Sequence, residues 1–156
     1  MRLSEYTDYS LRVLMLCANQ GDELLTIGGL AETLQVSRNH LMKVVNDLAR
    51  QGLLATTRGR GGGLRLMLPA EDINIGAVVR NTETDFRLVE CFDPEVDTCT
   101  LTPQCRLRGA LGRAMQAWFA ELDALTLADV AKPLPARRTQ PGLATVAPPR
   151  SRRAAR

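Results

Sequence analysis

The stretch Gln35–Gly63, QVSRNHLMKVVNDLARQGLLATTRGRGGG, decides the fold. In its first half Leu41, Val44, Val45 and Leu48 stand at i, i+3, i+4 and i+7, the spacing of one apolar helix face. Ser37 precedes that face as an N-cap, and Gly52 follows it as a C-terminal stop. Just upstream, Thr26 caps a second short helix over IGGLAETL, which Gly28-Gly29 weakens at its start. Two short helices joined by a tight turn predict a helix-turn-helix. Downstream, β-prone runs over 53–58 and 64–68 flank the Gly/Arg loop Gly59–Gly63, which is a hairpin signal. Helix-turn-helix followed at once by a basic hairpin is the order of a winged helix.

Working outward, Leu3, Tyr6, Ser10, Val13, Leu14 and Cys17 share one face, predicting a first helix over 3–20 that Gly21 and Asp22 end. Beyond Pro69, Asn74 caps a short helix running through Asn81, with Ile73 packing on Val78 as a hydrophobic staple. Thr102-Pro103 then offers an N-cap and a proline at the first position of a last, long helix. In it Leu107, Leu111, Met115, Trp118, Leu122 and Leu125 form a near-heptad stripe. Such a stripe can pack on its own domain. A two-fold dimer helix is the favoured reading, because paired winged helices need something to set their half-site spacing. The expected fold is mainly α with a small β-hairpin wing, a winged helix-turn-helix plus a long C-terminal dimerisation helix. The expected organisation is a DNA-binding domain over 1–68, a cysteine loop and dimerisation helix over 69–131, and a disordered basic tail over 132–156.

Charge supports that division. The net charge of +3 hides a tail from Lys132 to Arg156 with seven basic residues, no acid and five of the eight prolines. Residues 1–68 carry eight basic and six acidic side chains, whereas 69–131 carry five and eleven. A basic front and tail suit nucleic acid, and a Pro-rich basic tail suits a nonspecific electrostatic arm or no role at all. With 45% apolar and 24% charged residues the composition is that of a soluble globular protein. No apolar run approaches the roughly 18 residues of a membrane span, and the N-terminus does not read as a signal peptide. The expectation is a cytoplasmic protein with reduced thiols and no membrane partner.

The exposed positions at the start of the third helix are Ser37, Arg38, Asn39, His40 and Lys43. Arg and Lys can read guanine edges, Asn can read adenine bidentately, and Ser can hold a phosphate. An ordinary solvated face would also be polar, but the concentration of base readers in the first turn favours double-stranded DNA as partner. In the wing, Arg58, Arg60 and Arg65 surround Gly59, Gly61, Gly62 and Gly63, which permit close backbone approach to a phosphate or minor groove. A nucleotide-cradling loop is a poor alternative, because RGRGGG lacks the Lys-Ser/Thr of a P-loop and opens no helix. No base–nucleophile constellation appears, and His40, the single histidine, lies among the DNA-reading residues. An enzyme is not expected.

Three of the four cysteines, Cys91, Cys99 and Cys105, fall within CFDPEVDTCTLTPQCRL (Cys91–Leu107), with no histidine nearby. The odd local count argues against a disulfide framework. The gaps of seven and then five residues are not zinc-knuckle spacing, although zinc with an outside ligand and a metal-free thiol redox switch both remain open. Cys105 is expected at the third position of the helix capped by Thr102, where the helix N-terminus favours a thiolate and Arg106 and Arg108 add positive charge. Cys17 lies on the apolar face of the first helix and reads as a core thiol.

EYTDYSLRVLMLCA (Glu5–Ala18), VSRNHLMKVVNDLARQGLL (Val36–Leu54), RGRGGGLRL (Arg58–Leu66) and LTPQCRLRGAL (Leu101–Leu111) together resemble the winged-helix iron–sulfur transcriptional regulators of the IscR/NsrR type. The similarity is greater to the nitric-oxide-sensing branch, and it spans about residues 1–130. The resemblance implies a homodimer that binds a partly palindromic operator and represses transcription. It implies an iron–sulfur cluster in each subunit, 4Fe–4S in preference to 2Fe–2S, with nitric oxide as the signal. By position the ligands would be Cys91, Cys99 and Cys105. The histidine that some relatives place three residues after the last cysteine is replaced here by Arg108. In other relatives the aspartate of a T-D-Y run in the first helix serves as fourth ligand from the other subunit. That residue here is Asp8, whose plain alternative is an i,i+4 ion pair with Arg12. A same-fold regulator sensing cluster status or thiol oxidation is the neighbouring reading.

Overall fold

The structure, a computed structural model, describes residues 2–21, 23–59 and 61–131. Asp22, Arg60 and the predicted tail 132–156 lie outside the described residues. Six α-helices and one hairpin follow the order α1 Glu5–Gln20, α2 Ile27–Leu34, α3 Arg38–Arg50, β1 Leu54–Thr57, β2 Gly63–Leu66, α4 Ile75–Thr82, α5 Arg106–Asp123 and α6 Leu127–Val130. The described residues are thus mainly helical with a two-stranded wing, as the sequence pattern predicts.

Local chemistry explains most of the helix boundaries. The Ser4, Thr26, Ser37 and Asn74 side chains accept the N–H groups of Thr7, Gly29, His40 and Ala77 respectively, each three residues on. Each such bond satisfies one of the donors that a helix start leaves free and is worth about 1 kcal/mol. Gly21 and Gly52 take positive φ (63° and 76°) and end α1 and α3. The turn between α2 and α3 is made by Gln35 in the left-handed region (φ 55°, ψ 41°).

The wing strands pair antiparallel, Leu54 with Leu66 and Thr57 with Gly63. Leu25 adds a minimal third strand, exchanging both backbone hydrogen bonds with Leu64 at 3.0 and 2.8 Å. Leu54 and Leu64 thereby turn inward onto α1 and α3. The core joins Val13, Leu14 and Cys17 of α1 to Leu30, to Leu41, Val44, Val45 and Leu48 of α3, and to Ile73, Ile75, Val78, Val79 and Leu127. Each fully buried leucine contributes about 1.5–3 kcal/mol through apolar area removed from water. Residues from beyond the wing are therefore part of the same core as the helix-turn-helix.

The long helix departs from its expected start. Thr102–Gln104 forms a separate 3₁₀ turn, and α5 begins at Arg106 with Cys105 itself as N-cap. Thr102 therefore lies inside the 3₁₀ turn and not at the start of α5, and its hydroxyl donates to Asp97 Oδ1 at 3.0 Å. At the other end α5 stops at Asp123, so Leu125 of the predicted stripe lies past it. There α6 starts afresh with a capping box between Thr126 and Asp129.

The stripe also divides by environment. Trp118, Leu122 and Leu125 pack against the core of their own chain. Leu107 is 65% exposed, and no residue of α5 is fully buried.

Candidate DNA-reading face and cysteine site

The capped start of α3 presents Ser37, Arg38, Asn39, His40 and Lys43 to solvent, while Leu41, Val44, Val45 and Leu48 are buried behind them. The Ser37 Oγ accepts the His40 N–H at 3.3 Å, which leaves the hydroxyl hydrogen available to a phosphate. Arg38 lies back across the start of α2: a Cβ added to Gly28 would stand 3.3 Å from Arg38 Nη2. The glycine that weakens α2 therefore makes room for this guanidinium.

Between α3 and the wing lies a cleft of about 340 Å³, lined among others by Met42, Asn46, Thr56, Thr57, Arg58 and Gly62. Gly61 takes φ 79°, and a Cβ on Gly62 would fall 2.2 Å from the Thr57 carbonyl oxygen, so the loop tip needs both glycines. Asn46 and Met42, not singled out from sequence, continue the exposed face one turn along α3. The signal was available, since Asn46 follows Asn39 by seven residues and Lys43 by three.

Helix α3 is held from the side. Tyr6 Oη donates to Asp47 Oδ2 at 2.6 Å, and Gln51 Nε2 donates to the same oxygen at 3.0 Å. Arg50 pairs with the other carboxylate oxygen of Asp47. Burial, then the Asp47 carboxylate, push the Tyr6 hydroxyl up to about 12, while the Tyr6 bond, aided by Arg50 and Gln51, holds Asp47 below the usual carboxylate range.

The cysteines are all free thiols. Cys91 is buried, and Cys99 and Cys105 are partly exposed. Cys105 Sγ accepts the backbone N–H of Arg108 at 3.4 Å, at the N-terminus of an 18-residue helix. Arg108 also reaches Cys91, its Nε donating to the Cys91 carbonyl at 3.0 Å. Asp97 Oδ1 accepts the Cys99 N–H at 3.1 Å and the Thr102 hydroxyl, bracing the loop between the second and third thiols. Arg87 bridges Asp85 and Asp93 near the first. Its side-chain and backbone bonds hold Asp85 at about 2.

The single chain does not gather a complete ligand set: among the described residues no three His, Cys, Asp or Glu groups converge as a metal site. Asp8 is paired with Arg12 at 2.9 and 2.8 Å. Cys17 is enclosed in the core, and burial pushes its thiol up to about 12, which suits the core role read from sequence.

A family model described as Rrf2, iron-dependent transcriptional regulator, matches residues 3–133. The chain belongs to the Rrf2 family. It is 52% identical over 133 residues to the HTH-type transcriptional regulator NsrR of Bacillus subtilis, covering 85% of this chain and 91% of that protein. Among solved structures, a Listeria innocua protein described as a transcriptional regulator superposes with a TM-score of 0.70 at 26% identity, over 85% of this chain and 87% of that one. Staphylococcus aureus CymR does so with a TM-score of 0.67 at 25% identity, over 85% of this chain and all of that one. This Rrf2 protein is accordingly a DNA-binding transcriptional regulator with a winged-helix fold, and not an enzyme. No helix among its described residues is long and apolar enough to cross a membrane.

The donor set of the Rrf2 chain fits an iron–sulfur group in its chemistry. Three free thiols, the ligand type such groups take, share one short segment, and one of them caps a long helix.

Proposed function

We propose that this regulator is a homodimeric repressor whose affinity for a partly palindromic operator is set by an iron–sulfur cluster, 4Fe–4S in preference to 2Fe–2S, that responds to nitric oxide. Cys91, Cys99 and Cys105 would hold the cluster, with Asp8 of the partner subunit as fourth ligand. When bound, the cluster supplies iron that nitric oxide can attack. The observation carrying the reading is Cys105 Sγ at the N-cap of α5, tied through Arg108 to the Cys91 backbone.

The chain's own residues suggest how the site works. Arg108 and the α5 N-terminus offset the negative charge of gathered thiolates. Asp8 and Arg12 are half exposed, and an exposed i,i+4 pair is worth about 0.3–0.5 kcal/mol, so Arg12 is no obstacle to Asp8 changing partner. Val96 and Leu101 of the cysteine segment and Leu107 of α5 are large apolar side chains exposed by 54%, 70% and 65%, which a second copy could cover. Ser37, Arg38, Asn39, His40 and Lys43 would enter the major groove, with Arg58, Gly61 and Gly62 of the wing against an adjacent phosphate or the minor groove.

One anaerobic titration tests the reading: iron and sulfide content and operator binding, before and after nitric oxide. The expected result is cluster-loaded protein that loses operator affinity on exposure. An iron-free yet operator-competent dimer would defeat the cluster assignment, and zinc in place of iron would replace it with a zinc-bound regulator.

A further inference from the structure

Helix α1 begins with an incomplete capping motif. In a capping box the N-cap hydroxyl accepts the N–H of the third helical residue, whose Glu or Gln side chain in turn accepts the N-cap N–H. Ser4 supplies the first half, accepting the Thr7 N–H at 3.2 Å. Thr7 occupies the third position and has no carboxylate to return.

The missing acceptor comes from 79 residues away. Glu83 Oε2 accepts the Ser4 N–H at 2.8 Å and the hydroxyl of fully buried Thr7 at 2.9 Å. Glu83 is the C-cap of α4, so the chain that carries the cysteines leaves from the residue that grips the start of α1. Within the same first turn, Tyr6 reaches Asp47 on α3 at 2.6 Å. One turn of α1 is therefore clamped on one side to the root of the cysteine segment and on the other to the helix that carries Arg38, Asn39 and Lys43.

We propose that Glu83 and Tyr6 are positioning residues for DNA recognition: Glu83 completes the α1 cap from a distance, and the Tyr6–Asp47 bond carries that placement to α3. The inference deepens the proposed function and rests on α3 being the reading helix. Both residues are defined by bonds that a nonspecific phosphate contact does not need, so their loss falls on discrimination between sequences rather than on general affinity. Removing the carboxylate would leave the buried Thr7 hydroxyl with the Ser4 hydroxyl, at 3.1 Å, in place of a charged acceptor, and would free the turn that holds Tyr6.

The test compares affinity for a duplex selected from random sequence by the parent protein with affinity for its scrambled counterpart, alongside thermal unfolding. Glu83→Ala and Tyr6→Phe should each lower the selected-to-scrambled ratio by roughly threefold to thirtyfold, with scrambled-duplex affinity unchanged. Their double variant should lose less than the product of the two, because both act through one turn of α1. Glu83→Gln, which keeps an acceptor oxygen, should retain the parent's ratio. Tyr6→Phe removes one hydroxyl and keeps the ring, so it separates positioning from failure to fold. Folded single variants with an unchanged ratio, or losses that simply multiply in the double variant, would overturn the inference. A parent protein that cannot discriminate any duplex would instead defeat α3 as the reading helix, and this inference with it.

Discussion

Cys105 Sγ accepts the backbone N–H of Arg108 at 3.4 Å, so the third cysteine of the loop is itself the N-cap of α5. The cap and the candidate metal ligand are one atom. The sulfur there meets the positive end of the longest helix in the described residues, while the Arg108 side chain turns back to the Cys91 carbonyl at 3.0 Å.

That dual role separates two substitutions. Cys105→Ser keeps a good N-cap and removes the sulfur, whereas Cys105→Ala removes both and should cost about 1 kcal/mol more in stability. If the proposed cluster is bound, both should lose iron, as should Cys99→Ala, which should leave the fold unchanged. Thermal unfolding and elemental analysis read the two effects apart, and iron retained in the Cys99 variant would count against the site.

Asp8→Ala should cost less than about 0.5 kcal/mol in stability, since the Arg12 pair that it breaks is half exposed. Its expected effect is on the response: operator affinity should become less dependent on cluster state. Titration of operator with loaded and nitric-oxide-treated protein checks this, and a variant matching the parent would point to another fourth ligand.

Arg38 and Arg58 should fail differently. If Arg38 reads a base as proposed, Arg38→Ala should put about 1–3 kcal/mol at stake for the lost contact and relax preference at one operator position. If the wing's Arg58 meets a phosphate as proposed, Arg58→Ala should weaken binding evenly across sequences and lower the salt-dependence slope by about 1. Binding isotherms at several salt concentrations distinguish them.

Stability should form a plateau against pH with two identifiable shoulders. Asp47 is held below its ordinary range by Tyr6 first. Glu83 also lies low, because burial, which would raise it, is outweighed by the Ser4 and Thr7 bonds. Both stabilise the fold above the ordinary carboxylate range, and that contribution is lost as pH falls through their folded values. Tyr6 is shifted the other way, to about 12, so its contribution is present below its ordinary value of about 10 and lost as pH rises through about 12. Cys17, also pushed to about 12, adds to the same alkaline limb. Urea midpoints across pH should show the alkaline limb shallower in Tyr6→Phe.

Gly76→Ala should disturb the pair that joins α4 to α5. The added Cβ would fall 1.9 Å from Asp123 Oδ1, displacing a carboxylate that Arg80 Nη2 holds at 2.7 Å while the Arg80 Cζ lies 4.3 Å from the Phe119 ring centroid. The pair is half exposed, so its loss costs little, and the gain of about 1 kcal/mol from alanine in a helix offsets it; the urea midpoint should change little.

Much of this molecule is written locally. Ser37, Thr26 and Asn74 cap helices because a side-chain oxygen can reach an N–H three residues on, whatever the rest of the chain does. The apolar spacing of α3 and the glycines of the wing likewise determine which face is buried and where the hairpin turns. The three thiols of the cysteine segment were equally legible, because they crowd into fifteen residues from Cys91 to Cys105. Tertiary structure decided the rest. Thr102 carries the composition of a cap, but Asp97 takes its hydroxyl and Cys105 becomes the cap instead. Trp118 and Leu122 share a periodicity with Leu107, yet only the former two meet their own core. Glu83 to Ser4 and Tyr6 to Asp47 span 79 and 41 residues. No spacing rule reaches that far: a local hydrogen bond follows from backbone geometry alone, whereas a distant one forms only after the core has closed and brought its partners together.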